Sequence, residues 1–262
     1  MQDYWQKQSA ETPLFEDILW TRPENRQQAG KLLIVGGNVH SFASVNEAFQ
    51  VVTEAGAGTV SVLLPDALKK MLGVVSDAYD YAPSTPSGSF ARSALQELLQ
   101  NSAWADAVLL CGDLGRNSET SALLESFLEK FEGNAVLTKD AIDYFYLLPE
   151  KLANRPQTTL VISISQLQKL AVALHFTTPF LLSMGLMLLV QALHTFTTMY
   201  PVTIVTKELD QLVVATKGQV ISMKLSEDRA LWQVATAARA SVFVMQHPQK
   251  PLQAIATAFL PT

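Results

Sequence analysis

The sequence predicts an α/β fold, a mostly parallel central sheet with helices on both faces. Short apolar runs alternate with amphipathic stretches over nearly the whole length. Strands joined through such stretches need right-handed crossovers, which lay helices over both faces of the sheet. Ten of the twelve glycines lie before residue 134, so the first half can end its strands in turns of positive φ and the second half can do so rarely.

The elements follow in order. Residues 1–28 show no periodicity and read as an N-terminal arm; residues 29–262 read as a single domain. KLLIVGG (31–37) is a buried strand ending in a glycine turn, and SVNEAFQVVTEAGAG (44–58) a helix stopped by glycine. GTVSVLLP (58–65) is the next strand, followed by helix 91–101, strand 106–112, helix 118–131 and strand 134–138. Then come strand 158–163, helix 164–174, an apolar helix near 179–198, strand 202–206, a strand pair near 211–224 and a final helix pair. Leu231, Val234, Ala238, Val242 and Met245 recur at spacings of three and four, which predicts one unbroken helix from Ser226 to Gln246. Asp228 then serves as a charge at its N-terminal end.

Composition narrows the function. A net charge of -5 without a lysine or arginine run sets aside nucleic acid and anionic membrane as partners. The single cysteine, Cys111, excludes an intrachain disulfide and a multi-cysteine zinc site, fits a reducing cytoplasm, and reads as an inert core thiol. His40, His175, His194 and His247 are scattered and give no metal-binding pair. The N-terminus has no apolar stretch of the kind a secretion signal needs. Residues 176–206 carry no formal charge, but their strongly apolar part, Pro179 to Leu193, falls short of the roughly 20 residues that span a bilayer. A helix buried in the core or in a subunit interface is expected there, and with it a homo-oligomer.

Ligands of such sheets sit at the carboxyl ends of the strands. Four ends carry informative residues: Gly36-Gly37-Asn38, Cys111-Gly112-Asp113-Leu114-Gly115, Thr138-Lys139-Asp140 and Thr206-Lys207-Glu208. Neither a GxGxxG fingerprint nor a GxxxxGK[ST] loop occurs, which disfavours a dinucleotide fold of the usual kind and a Walker loop. Candidate ligand-binding residues are Gly37, Asn38, Gly112, Gly115, Asp140 and Lys207. Asp140 serves a substrate or cation, or else a turn or helix cap; Lys207 a nucleotide phosphate or solvent; and Asp113 reads as a surface turn carboxylate before a functional acid.

The order WTRPENRQQAGKLLIVGGN, EAGAGTVSVLLP, DAVLLCGDLGRNSET, NAVLTKDAIDYF and VTIVTKELDQLVVATKGQVISM resembles the ADP/ATP-dependent NAD(P)H-hydrate dehydratases over about residues 20 to 260. The resemblance implies a ribokinase-like fold, ADP or ATP with Mg2+ as cofactors, the hydrated form of NADH or NADPH as substrate, and a homo-oligomer, dimer or tetramer. Several of that family's motif positions differ here. GPGLG is Cys111-Gly112-Asp113-Leu114-Gly115; DAD is Thr138-Lys139-Asp140; TPHxGE is Ile162 to Leu167; and the lysine normally followed by glycine is Lys207 followed by Glu208. The expected GTGD loop, an anion hole with a catalytic aspartate, reads Ser226-Glu227-Asp228-Arg229 and onward without glycine. The resemblance therefore implies a divergent homologue with reduced or lost catalysis. The alternatives are a non-catalytic binding or assembly protein and a small-molecule kinase with a rebuilt site.

Overall fold

The computed structural model describes residues 3–9, 11–73, 77–225 and 232–260. In chain order the elements are β1 (Trp5–Gln8), α1 (Glu16–Trp20), β2 (Lys31–Gly36), α2 (Ala43–Glu54), β3 (Thr59–Pro65), α3 (Lys69–Leu72) and β4 (Tyr79–Ala82). Then follow α4 (Leu95–Trp104), β5 (Ala107–Gly112), α5 (Ser118–Lys130), β6 (Asn134–Thr138), α6 (Asp140–Asp143), α7 (Pro149–Ala153) and β7 (Thr158–Val161). The chain closes with α8 (Ile164–Ala173), α9 (Leu186–Met199), β8 (Thr203–Glu208), β9 (Gln211–Thr216), β10 (Gln219–Lys224), α10 (Val234–Gln246) and α11 (Pro251–Ala258).

The strands form one sheet in the order β1-β10-β9-β8-β7-β6-β5-β2-β3-β4. Every pairing from β4 through to β8 is parallel. β9 runs antiparallel to both of its neighbours. Chain length between strands explains the change: Lys217 and Gly218, both at positive φ, close the β9–β10 hairpin, and a turn so short permits only antiparallel pairing.

Both faces of the sheet are covered, so its strands are apolar on alternate positions and on the positions between them. Leu33 and Val35 of β2 pack on one side with Leu98 of α4, Phe127 of α5, Leu170 of α8 and Phe196 of α9. Leu32 and Ile34 pack on the other with Val52 of α2, Val242 of α10 and Ile255 of α11. Each such fully buried side chain contributes about 1.5–3 kcal/mol by leaving water. This two-sided burial is what makes the strands read as continuous apolar runs.

Beyond the added short elements α3, β4, α6 and α7, three expected segments turn out differently. The arm enters the sheet: β1 pairs in parallel with β10, the Trp5 indole N–H donates to Ser222 Oγ at 2.9 Å, and the buried Gln8 amide donates to Ala256 O at 2.7 Å. A short polar edge strand held by partners more than 200 residues away has no local period to betray it. The apolar helix is shorter than 179–198. It begins after Gly185, while Phe180 turns inward against Phe196 with ring centroids 5.9 Å apart. No described helix is long and apolar enough to cross a membrane.

The third departure is a correction. The helix expected from Ser226 to Gln246 begins at Val234. Residues 226–231, including Asp228, lie outside the described residues. Gln233 has φ 57 and ψ -82, which no α-helical residue adopts, and the first helical bond runs from Ala237 N to Gln233 O at 2.7 Å. The apolar spacing continues across the break because Trp232 also packs on the core. A helix therefore does not run through residues 232 and 233. A non-glycine residue supplies the positive φ there.

Candidate functional site

The carboxyl ends of β2, β5 and β6 lie side by side in the sheet, and the turns that leave them interlock. Gly37 N donates to Gly112 O at 3.1 Å, joining the turn after β2 to the turn after β5. Asn38, 5% exposed, donates through Nδ2 to Asp113 O at 2.6 Å and accepts His40 N at 2.8 Å. Gly112 has φ 97, and a Cβ there would stand 2.8 Å from both Asp140 Oδ1 and Lys139 Cβ. Glycine is required at that position by conformation and by space.

Asp140 holds the turn after β5 in place. Its Oδ2 accepts Leu114 N at 2.9 Å and Gly115 N at 3.2 Å, while Oδ1 is buried without a hydrogen-bond partner. Burial pushes its carboxyl above the usual range; the Leu114 N–H acts against that, and the Asp113 charge adds to it. Tyr144, one turn further on, donates its hydroxyl to Gly115 O at 2.5 Å.

Asp113 is not a solvated turn residue. Its Oδ1 lies 2.8 Å from Lys139 Nζ and its Oδ2 accepts Ser44 N, at the start of α2, at 2.9 Å. Lys139 Nζ also donates to Ser44 Oγ at 2.6 Å. Burial of Asp113 opposes ionisation, but the Lys139 ammonium and the Ser44 N–H outweigh it, and its pKa falls below the usual range. Lys139 makes these bonds from a strained backbone, φ 53 and ψ -137.

These opposite shifts give opposite pH dependences. Asp140 ionises later in the folded than in the unfolded chain, so its contribution is complete below its unfolded value near 3.8 and is lost as pH rises through the folded one. Asp113 behaves in reverse, contributing above 3.8 and losing that contribution as pH falls through its lowered value. The melting-temperature difference between the wild type and Asp140→Asn is expected to shrink as pH rises from 3.5 toward neutral. For Asp113→Asn it should grow as pH rises through the acid range. Slopes of the same sign in both variants would contradict the assignment.

The remaining candidates are placed as follows. Gly115 lines a cleft of about 420 Å³ together with Asp140, Tyr144, Tyr146, Arg116 and Lys169. Lys207, half-buried near the end of β8, is separated from β5 by β7 and β6, which at about 4.8 Å per strand puts it about 14 Å from Gly112. The structure thus gathers Gly37, Asn38, Gly112, Gly115 and Asp140, and leaves Lys207 apart. Thr138, buried, donates its hydroxyl to Val161 O at 2.9 Å. Ser163 and Gln166 form a capping box at the start of α8. Gln166 also donates to Lys139 O at 2.9 Å and accepts from Gln233 Nε2 at 2.9 Å, tying the start of α10 to the turn after β6. Cys111 is fully buried, and burial pushes its thiol far up, away from nucleophilic use. The described residues contain no cluster of three or more histidine, cysteine or acidic side chains suited to a metal.

Sequence reading named the turns that carry Lys139 and Ser44, the strand end Thr138-Lys139-Asp140 and the loop from Asn38 to Ser44, but gave neither side chain a role. The available signal was charge complementarity: Asp113 and Lys139 follow the ends of adjacent parallel strands, so opposite charges there meet across one strand spacing.

No family model matches the chain. A stretch of 116 residues, 44% of the chain, is 28% identical to a bifunctional NAD(P)H-hydrate repair enzyme of Moorella thermoacetica, and the match spans 22% of that protein. Among solved structures, a ribokinase-like superfamily protein of Enterococcus faecalis superposes with a TM-score of 0.72 at 15% identity, covering 98% of this chain and 86% of its own. The ADP/ATP-dependent NAD(P)H-hydrate dehydratase of Bacillus subtilis, co-crystallised with ATP/Mg2+, superposes with a TM-score of 0.60 at 13% identity, covering 95% and 86%. The superpositions show a ribokinase-like fold, and over 44% of its length the chain is similar to a bifunctional NAD(P)H-hydrate repair enzyme, of which it spans about a fifth.

Proposed function

We propose that this chain is a divergent homologue of the NAD(P)H-hydrate dehydratases in which catalysis is reduced or lost and the crevice is kept for binding. The observation that carries the reading is that most of the polar groups at the turns after β5 and β6 are engaged within the chain. Asp113 is paired with Lys139 and Ser44, Asp140 Oδ2 with two backbone N–H groups, and Gln166 with Gln233. Where the resembled family has its first DAD acid, Thr138 points its hydroxyl at a carbonyl. Residues 232–246 contain no acid to act as a base at the start of α10. ADP or ATP with Mg2+ fits the described residues poorly: the first N–H groups of α10 lack intrahelical partners by position, but no carboxylate or glycine stands among described residues 232–236 beside them. No step is assigned to nucleotide or metal.

Homo-oligomerisation is part of the same proposal. Val172, Leu182, Met187 and Leu188 are all more than half exposed on or near α8 and α9. A second copy is the favoured occupant, because this uncharged stretch lets two chains of net charge -5 meet without opposing like charges.

The test is turnover. Hydrated NADPH incubated with the protein and ADP or ATP is expected to revert well below the ordinary turnover of enzymes, since losing general acid–base help costs about 10² to 10⁴ in rate. Reversion at about 1 s⁻¹ or more, the ordinary range for enzymes, would contradict the proposal.

A further inference from the structure

Two departures from the resembled family's pattern meet in space. Asp113 stands where GPGLG has its middle glycine and Lys139 where DAD has its middle residue, and their side chains form an ion pair at 2.8 Å. The Asp113 carboxylate does more than neutralise the lysine. It lies at the N-terminal end of α2, a helix of 12 residues, accepting Ser44 N with one oxygen and Lys139 Nζ with the other, while Nζ and Ser44 Oγ are themselves bonded. Helix-end N–H, serine hydroxyl and lysine ammonium are the donors that hold a phosphate or carboxylate. Here they hold a carboxylate that belongs to the chain.

We propose that Asp113 is an autoinhibitory anion, a built-in occupant of a site formed by the start of α2, Ser44 and Lys139 that excludes external oxyanions from the crevice. This rests on the reading of the crevice as closed to its former chemistry, but its test does not depend on turnover. The Asp113 side chain is 10% exposed and Lys139's is 35%, so the lysine side chain keeps a face toward solvent along which an anion can enter once the carboxylate is gone. Asp113 has φ 57, a value glycine adopts without strain, so Asp113→Gly removes the carboxylate and leaves the turn unhindered.

The experiment is a titration with inorganic phosphate, followed by melting temperature, on the full chain. Asp113→Gly is expected to bind phosphate at least tenfold more tightly than the wild type, and Asp113→Gly/Lys139→Ala to lose that gain. If Asp113→Gly is unfolded in plain buffer, tens of millimolar phosphate is expected to restore its far-ultraviolet circular dichroism. Equal phosphate affinity in the wild type and the variant, a gain that survives loss of Lys139, or failure of phosphate to refold an unfolded variant overturns the proposal.

Discussion

Replacing Arg155 with alanine is expected to destabilise the fold by about 4 kcal/mol, the largest single effect foreseen for this chain. Arg155 is 9% exposed, and among the described residues its guanidinium donates to backbone carbonyls and a threonine hydroxyl and not to a carboxylate. Nη2 donates to Phe131 O at 2.5 Å and Gly133 O at 2.7 Å, closing the end of α5 and its turn into β6. Nη1 donates to Thr158 Oγ1 at 2.7 Å and Pro156 O at 3.1 Å at the entry of β7. One side chain thus links the amino ends of two strands to the carboxyl end of a helix. Burial lowers its pKa to about 10, so it stays charged at neutral pH. Removing it leaves several carbonyls without donors, each costing about 1–3 kcal/mol where water cannot replace the bond. Arg155→Lys should recover little, because a single ammonium cannot match the planar fork. Urea unfolding checks this; a loss below 1 kcal/mol in Arg155→Ala would show that the network is incidental.

Lys139→Ala is expected to cost about 2 kcal/mol, less than the 3–5 kcal/mol typical of breaking a fully buried pair because the lysine is partly exposed. The loss arises chiefly at Asp113, left with the Ser44 N–H and the Ser41 side chain to compensate its burial. Lys139→Gly separates charge from backbone. It removes the same ammonium but accepts φ 53 without strain, and should therefore be the more stable of the two variants by about 1 kcal/mol. The expected order is wild type, then Lys139→Gly, then Lys139→Ala. Alanine outranking glycine would mean that the backbone there relaxes and the strain is not real.

The fold was legible because its signal is local. Runs such as KLLIVGG and DAVLLCG are apolar on both faces, and that alone marks strands inside a two-sided sheet. The arm's strand was not legible, since WQKQ is specified by β10 and by Ala256 and not by its own pattern. The break at Gln233 was hidden because a single positive-φ residue leaves the apolar spacing intact on both sides of it. In the site, the glycine turns were readable from their residue types, whereas the role of Asp113 was not. A turn aspartate is ordinarily solvated, and only its position one strand away from Lys139 and beside the start of α2 removes it from water. The scarcity of glycine after residue 134 also proved a weaker guide than its chemistry suggests, because Lys139 and Gln233 reach positive φ without it.

The account turns on one claim, that Asp113 and Lys139 have been rebuilt as a unit at the carboxyl ends of β5 and β6. A double-mutant cycle with Asp113→Asn and Lys139→Ala, read by urea unfolding at low salt, tests it most directly. The predicted coupling is about 2 kcal/mol, with the double variant close in stability to either single one. Additivity within about 0.3–0.5 kcal/mol would mean the two side chains act independently, and the claim would fail.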